Sequence, residues 1–129
     1  MNVNNMKAWL DKDIPWEDVY NPVTGKTIQR KHFLQDPDTG MEVMVVRYPA
    51  GVFTPPHTHP CAHGMFVISG HLRTHDGTYG PGDFVWYPQG NIGVHGATED
   101  GPATLVFMTN KPFDLTFVDA AGKPLQPGP

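Results

Sequence analysis

From Thr27 onward, short runs of β-branched and aromatic residues alternate with clusters of turn residues, a pattern that predicts strands. Thr27–Leu34 and Met41–Tyr48 flank Asp36-Pro-Asp-Thr-Gly40, whose proline and glycine favour a tight turn, so the two runs form a hairpin. Further strands are expected at Pro56–His59, Gly64–Ser69, His71–His75, Asp83–Tyr87, Gly93–Ala97, Ala103–Thr109 and Phe113–Asp119. The breaks carry Gly70, Asp76-Gly77, Gly80-Pro81-Gly82, Pro88-Gln-Gly90, Glu99-Asp-Gly101-Pro and Asn110-Lys-Pro112. Even spacing of many short strands indicates an all-β sandwich, jelly roll or small barrel. No segment sustains a 3.6-residue apolar period; a short helix around Met6–Asp11 is the one helical expectation.

Residues 1–26 read as a weakly structured arm, 27–119 as the β-barrel and 120–129 as a tail that ends frayed. In the arm, Trp9, Leu10, Ile14, Trp16, Val19 and Tyr20 are available to cover a sheet edge or a partner subunit. Trp9 and Trp16 are the candidate anchors of a homodimer.

Composition narrows the class. With 129 residues, the chain is long enough for one core without staples. A net charge of −4 gives no footprint for nucleic acid or an anionic membrane, and no apolar run reaches transmembrane length. One cysteine, Cys61, excludes an intrachain disulfide and suits the cytoplasm.

The chemistry is concentrated between Gly51 and Gly70. His57 and His59 are two residues apart, so in an extended strand both imidazoles point to one face. Imidazole is the commonest neutral metal ligand, and it suits Fe, Zn, Cu and Ni. A third ligand must come from elsewhere, and His95, which follows a loop and begins a new strand, is the best candidate. If the chain reverses at Pro60, His63 points to the same interior as a fourth ligand or as a partner that orients one. Cys61 would favour Zn or Cu(I), but Pro60 disrupts the strand before it, and a partly buried free thiol is expected. His32, His71 and His75 read as surface or loop residues, and Arg73 as solvated. Met65 shares a face with His63. Asp83–Tyr87 offers Phe84 and Trp86 on one face and Val85 and Tyr87 on the other. Met65, Phe84, Trp86 and Thr98 are the candidate pocket residues, with core packing or a turn role as the competing assignment.

These residues fall into a known register. Gly51, His57, His59, His63 and Gly70 resemble the first motif of the cupin superfamily, with His63 where an acid usually stands. Gly82, Pro88 and Gly90 resemble the second motif, but its histidine comes at His95, two residues late, and Gly93 occupies the usual place. The resemblance implies a cupin-type jelly roll. The segment from His95-Gly-Ala-Thr98 through Phe113–Lys123 is similar to the C-terminal half of acetylacetone-cleaving and dihydroxyacetophenone-type dioxygenases. That likeness implies a non-haem Fe(II) site in which His57, His59 and His95 are ligands. The run His75–Asp83 is also similar to the cupin domain of zinc-binding anti-sigma factors.

The expected function is thus a metal-dependent oxygenase. It would use O2 and Fe(II), with Zn, Ni, Mn or Cu as other candidate metals, to cleave a C–C bond beside a carbonyl in a small diketone or hydroxyketone. The rival expectations are a non-catalytic metal or small-molecule sensor, and an isomerase or lyase that needs no O2.

Overall fold

The computed structural model describes residues 6–125; the last four residues of the expected frayed tail lie outside them. Among the described residues the regular structure is almost entirely β, in two sheets that face each other. The first sheet holds β1 (Glu17–Asn21), β2 (Lys26–Gln35), β3 (Glu42–Tyr48), β10 (Ala103–Thr109), β5 (His63–Ser69) and β8 (Phe84–Tyr87), in that spatial order. The second holds β11 (Thr116–Phe117), β4 (Phe53–Thr58), β9 (Gly93–Ala97), β6 (Leu72–Thr74) and β7 (Thr78–Tyr79). Every pairing is antiparallel, and strands distant in sequence, such as β4 and β9 or β3 and β10, lie side by side as a jelly roll requires.

The β2–β3 hairpin forms as expected. Asp36 Oδ1 accepts the backbone N–H groups of Asp38 and Thr39, and Gly40 closes the turn at φ +75°, a conformation side chains disfavour. Alternation then sorts the faces. Met44, Val46 and Tyr48 of β3 point inward with Met65 and Val67 of β5, Leu105 and Phe107 of β10, and Leu72 and Ala97 of the opposite sheet. This shared face is the core, and Met65 is fully buried in it.

Two backbone features place the functional strands. β4 contains Pro55 and Pro56, which lack N–H donors, and its pairing with β9 shifts register between Thr54 and His57. On β9, a Cβ at Gly96 would collide with the Val52 carbonyl, so only glycine lets β9 lie this close to the start of β4.

The N-terminal arm is more ordered than its patterning suggests. Residues 6–10 form no helix, and a single 3-10 turn at Asp11–Asp13 follows them. That turn has no side chain capping its start, and Asp11 binds Lys31 at 2.7 Å. Trp16 packs on the outer face of the first sheet beneath two cations, Lys31 at 4.9 Å and Arg47 at 4.2 Å from its ring centre. Trp16 is therefore intrachain cover, while Trp9 stays exposed. Glu17–Asn21 pairs with β2 as the outermost strand, so the boundary expected at residue 26 falls inside a hairpin. At the other end, Val118 bridges to Pro124 and the Leu125 N–H donates to the Phe117 carbonyl, folding the chain back along β11.

Candidate metal centre

β4 delivers His57 on its inward face and His59 just past its end, as the two-residue spacing predicts. Their ring centres are 4.8 Å apart. β9 delivers His95 from alongside β4, with Thr54 as its cross-strand partner. The two-residue delay relative to the usual motif does no harm, because positions 93 and 95 share a face of one strand. At Gly93 a Cβ would lie 3.2 Å from the ring of Tyr87, a tight approach for any side chain at that position.

One ring nitrogen from each of His57, His59 and His95 lies within 4.8 Å of the others, and all three residues are buried. The outer nitrogens are held. His57 Nδ1–H donates to the Pro55 carbonyl at 2.8 Å, a bond that the irregular proline stretch makes possible. His59 Nδ1–H donates to the Asp114 carbonyl at 2.6 Å, and His95 Nδ1 meets the Tyr48 hydroxyl at 2.9 Å. Such partners fix the ring and leave Nε2 for a cation. His57 Nε2 and His95 Nε2 face each other at 2.9 Å, and His59 Nε2 is buried with no partner. Three imidazoles that turn their Nε2 atoms toward a common point, one of them orphaned, fit a borderline-soft divalent ion.

Electrostatics favours the ligand form. Burial lowers the pKa of His57 and lowers that of His95 well below the usual histidine value; it pushes His59 down to about 4. All three rings are neutral near neutrality, as a ligand must be.

His63 stands beside this group. It points inward from β5, as parity predicts, with its ring centre 4.4 Å from that of His59. Its faces are stacked on Tyr87 at 4.8 Å and Phe107 at 4.9 Å, and neither ring nitrogen has a partner. Burial, then the neighbouring His59 and His57, lower it to about 3.

The three converging histidines sit in the wall of a cavity of about 270 Å³. The rest of the wall is largely apolar: Met44, Val46, Val52, Phe107, Phe113 and Phe117. β1 and its turn contribute Val19, Tyr20, Asn21 and Pro22. Of the pocket residues expected from sequence, Met65 is core packing beneath His63, and Thr98 uses its carbonyl to accept the Gly51 N–H; neither lines the cavity. Phe84 and Trp86 face away from it, 52 % and 51 % exposed. The reason is register: Tyr87 pairs with His63 and Val85 with Met65, so those two turn inward, whereas Phe84 follows Phe66 outward. Cys61 is a fully buried free thiol outside the histidine group. His71 and His75 are exposed, and His32 pairs with Glu42 at 2.9 Å. Tyr48 was not among the sequence candidates; its place on the inward parity of Met44 and Val46 is the signal that points to it.

The profile of the ChrR cupin-like domain matches residues 6–114. Among curated proteins, none matches this sequence. Solved structures share the fold. A cupin protein of Ralstonia eutropha is 20 % identical with a TM-score of 0.76, over 95 % of this chain and 78 % of its own. A candidate acetylacetone dioxygenase of Methylibium petroleiphilum is 17 % identical with a TM-score of 0.73, over 98 % and 90 %. The complex of Rhodobacter sphaeroides SigE with the anti-sigma ChrR matches at 16 % identity and a TM-score of 0.62, over 78 % of this chain and 51 % of that one. No described helix is long and apolar enough to cross a membrane.

Proposed function

This chain belongs to the ChrR cupin-like domain family, and on that premise we propose that it is a metal-dependent oxygenase. It uses O2 and a non-haem Fe(II) held by His57, His59 and His95 to cleave a C–C bond beside a carbonyl in a small diketone or hydroxyketone. The observation that carries this reading is the convergence of three buried neutral imidazoles on one apolar cavity. The candidate acetylacetone dioxygenase with the same fold agrees with it.

When bound, Fe(II) supplies the redox chemistry that triplet O2 requires and the Lewis acidity that favours an enolate. The protein's own part is positioning and exclusion. The Pro55 and Asp114 carbonyls and the Tyr48 hydroxyl hold the three rings in one orientation. Phe107, Phe113 and Phe117 keep water from the reacting centre. Among the described residues no aspartate or glutamate lines the cavity, and Glu17, next to it on β1, is engaged by Arg30. A substrate that ionises readily, as a β-diketone does, suits that wall. His63, stacked between Tyr87 and Phe107 and outside the group of three, is given no metal-holding role in this reading. The buried thiol of Cys61 suits a reducing cytoplasm. A homodimer forms through the outward Phe66, Ile68, Phe84 and Trp86, four exposed apolar side chains on the paired strands β5 and β8.

The test is anaerobic reconstitution with Fe(II), followed by O2 uptake over a panel of diketones and hydroxyketones. Uptake above that of the metal-free protein is expected for at least one. Turnover without O2 would instead establish an isomerase or lyase. Stoichiometric zinc in the isolated protein with no reaction, together with a protein partner recovered by pull-down, would favour a sensor; the anti-sigma ChrR in its complex with SigE shares the fold.

A further inference from the structure

We propose that the cavity holds a second recognition point, the guanidinium of Arg30. Its ligand is then a small carbonyl compound bearing a carboxylate at the end away from the histidines. This deepens the metal-centre reading, which it uses only to place the chelating end.

Arg30 lies on β2 in the same parity as Lys26 and Ile28, and all three line the cavity. Two cations therefore line a space to which no aspartate or glutamate among the described residues contributes, with Glu17 beside Arg30 as its ion-pair partner, in a chain whose net charge is −4. A divalent ion on neutral imidazoles adds to the same sign. Positive charge at this wall favours an anion as the ligand.

Arg30 is also incompletely paired. Its Nη2 donates to Glu17 Oε1 at 3.1 Å, while its Nε is enclosed and has no partner. Glu17 is itself largely exposed, 57 % at the side chain, so that ion pair is a weak competitor. A guanidinium keeps its charge and offers a planar fork that suits a carboxylate. The enclosed Nε is out of a ligand's reach, so a ligand carboxylate meets the terminal N–H groups of the guanidinium. At about 270 Å³ the cavity is at the small end for ligand sites, so the compound is short and the two groups are separated by a few carbons.

Succinylacetone, a β-diketone with a terminal carboxylate, and its neutral methyl ester are the probes. Their binding is measured by calorimetry on protein loaded with redox-inert Zn(II), so that no turnover intervenes. The unmodified protein is expected to prefer the acid by about tenfold to a hundredfold, the range for a charge-assisted hydrogen bond. Arg30→Met is expected to erase that preference while leaving zinc stoichiometry and ester affinity unchanged. Glu17→Gln, which frees the guanidinium, is expected to strengthen acid binding severalfold without affecting the ester. If Arg30→Met does not fold, Glu17→Gln alone decides.

Equal binding of acid and ester, equal weakening of both by Arg30→Met, or binding of neither overturns the proposal. If zinc is not retained, the acid-to-ester ratio is read on the metal-free protein. An acid preference in a protein that consumes no O2 with Fe(II) removes the oxygenase reading and leaves the Arg30 site standing.

Discussion

The Nε2 atoms of His57 and His95 stand 2.9 Å apart, with their rings nearly perpendicular at 83°. His57 already donates from Nδ1 to the Pro55 carbonyl, so its Nε2 carries a lone pair. Without metal, the short contact is a hydrogen bond donated by His95 Nε2–H, and His95 Nδ1 accepts from the Tyr48 hydroxyl. A cation between the rings requires both lone pairs. His95 then carries its proton on Nδ1 and donates it to the Tyr48 oxygen. Tyr48 can serve both states because a hydroxyl donates and accepts.

Tyr48→Phe removes that adaptable partner. Metal affinity is expected to fall about ten- to hundredfold, the usual cost of losing a group that orients a metal-bound histidine. Competition against a chelator of known affinity measures it. An affinity equal to that of the unmodified protein would show that Tyr48 only packs.

His57→Ala, His59→Ala and His95→Ala are each expected to abolish stoichiometric metal, while His63→Phe retains it. The phenyl ring fits the slot between Tyr87 and Phe107 and removes two unpartnered buried nitrogens. Elemental analysis of protein isolated without added metal separates the cases. Loss of metal in His63→Phe would make His63 a fourth ligand.

Acid is expected to destabilise the metal-free protein. Burial holds His59 at about 4 and His63 at about 3, and lowers His57 and His95. In the unfolded chain they titrate near the ordinary value of about 6.5. Between these limits the unfolded state binds more protons, so stability falls as pH drops from about 6.5 toward about 4. Urea midpoints that decrease over that interval check this, and a flat profile would mean that the rings are not buried as described.

Glu42→Ala is expected to cost about 1.5–3 kcal/mol, the range for hydrogen bonds to a charged group. One Glu42 oxygen meets His32 at 2.9 Å and the other accepts the Phe113 N–H at 2.6 Å. The next residue, Asp114, supplies the carbonyl that orients His59. Metal affinity should therefore fall together with stability. Urea denaturation and a metal titration of the same variant test the link; unchanged affinity despite lost stability would break it.

The proposed homodimer is tested by lysine at both Phe84 and Trp86, which is expected to give a monomer by light scattering with metal content intact. Those side chains project from the outer face. A variant that stays dimeric would place the interface elsewhere, for example at exposed Trp9.

Local pattern made the site legible where one strand decides the outcome. The spacing of His57 and His59, the parity of His63 with Met65, and the turn at Asp36–Gly40 all depend on a few adjacent residues, and each is found in the structure. The face of β8 is not a local property. It follows from the pairing of Tyr87 with His63, and this is why Phe84 and Trp86 lie outside. β1 is not legible because Glu17, Asp18 and Asn21 are polar and Val19 and Tyr20 are adjacent, so its pairing with β2 has no alternating apolar signature. Tyr48 and Arg30 each sit on a visible inward parity, but their polar tips find roles only through β9 and β1, which no single run of sequence specifies.

The β1–β2 hairpin also sets one wall of the cavity apart from the histidine cluster. Val19 to Pro22 border the cavity, yet β1 joins its sheet through β2 alone, whereas the histidines are held by β4 and β9 within the opposite sheet. Lengthening or stiffening the bend after Asn21 would therefore alter which molecules are admitted while the inner ligand geometry stays the same. This wall and the histidine cluster can change independently of each other.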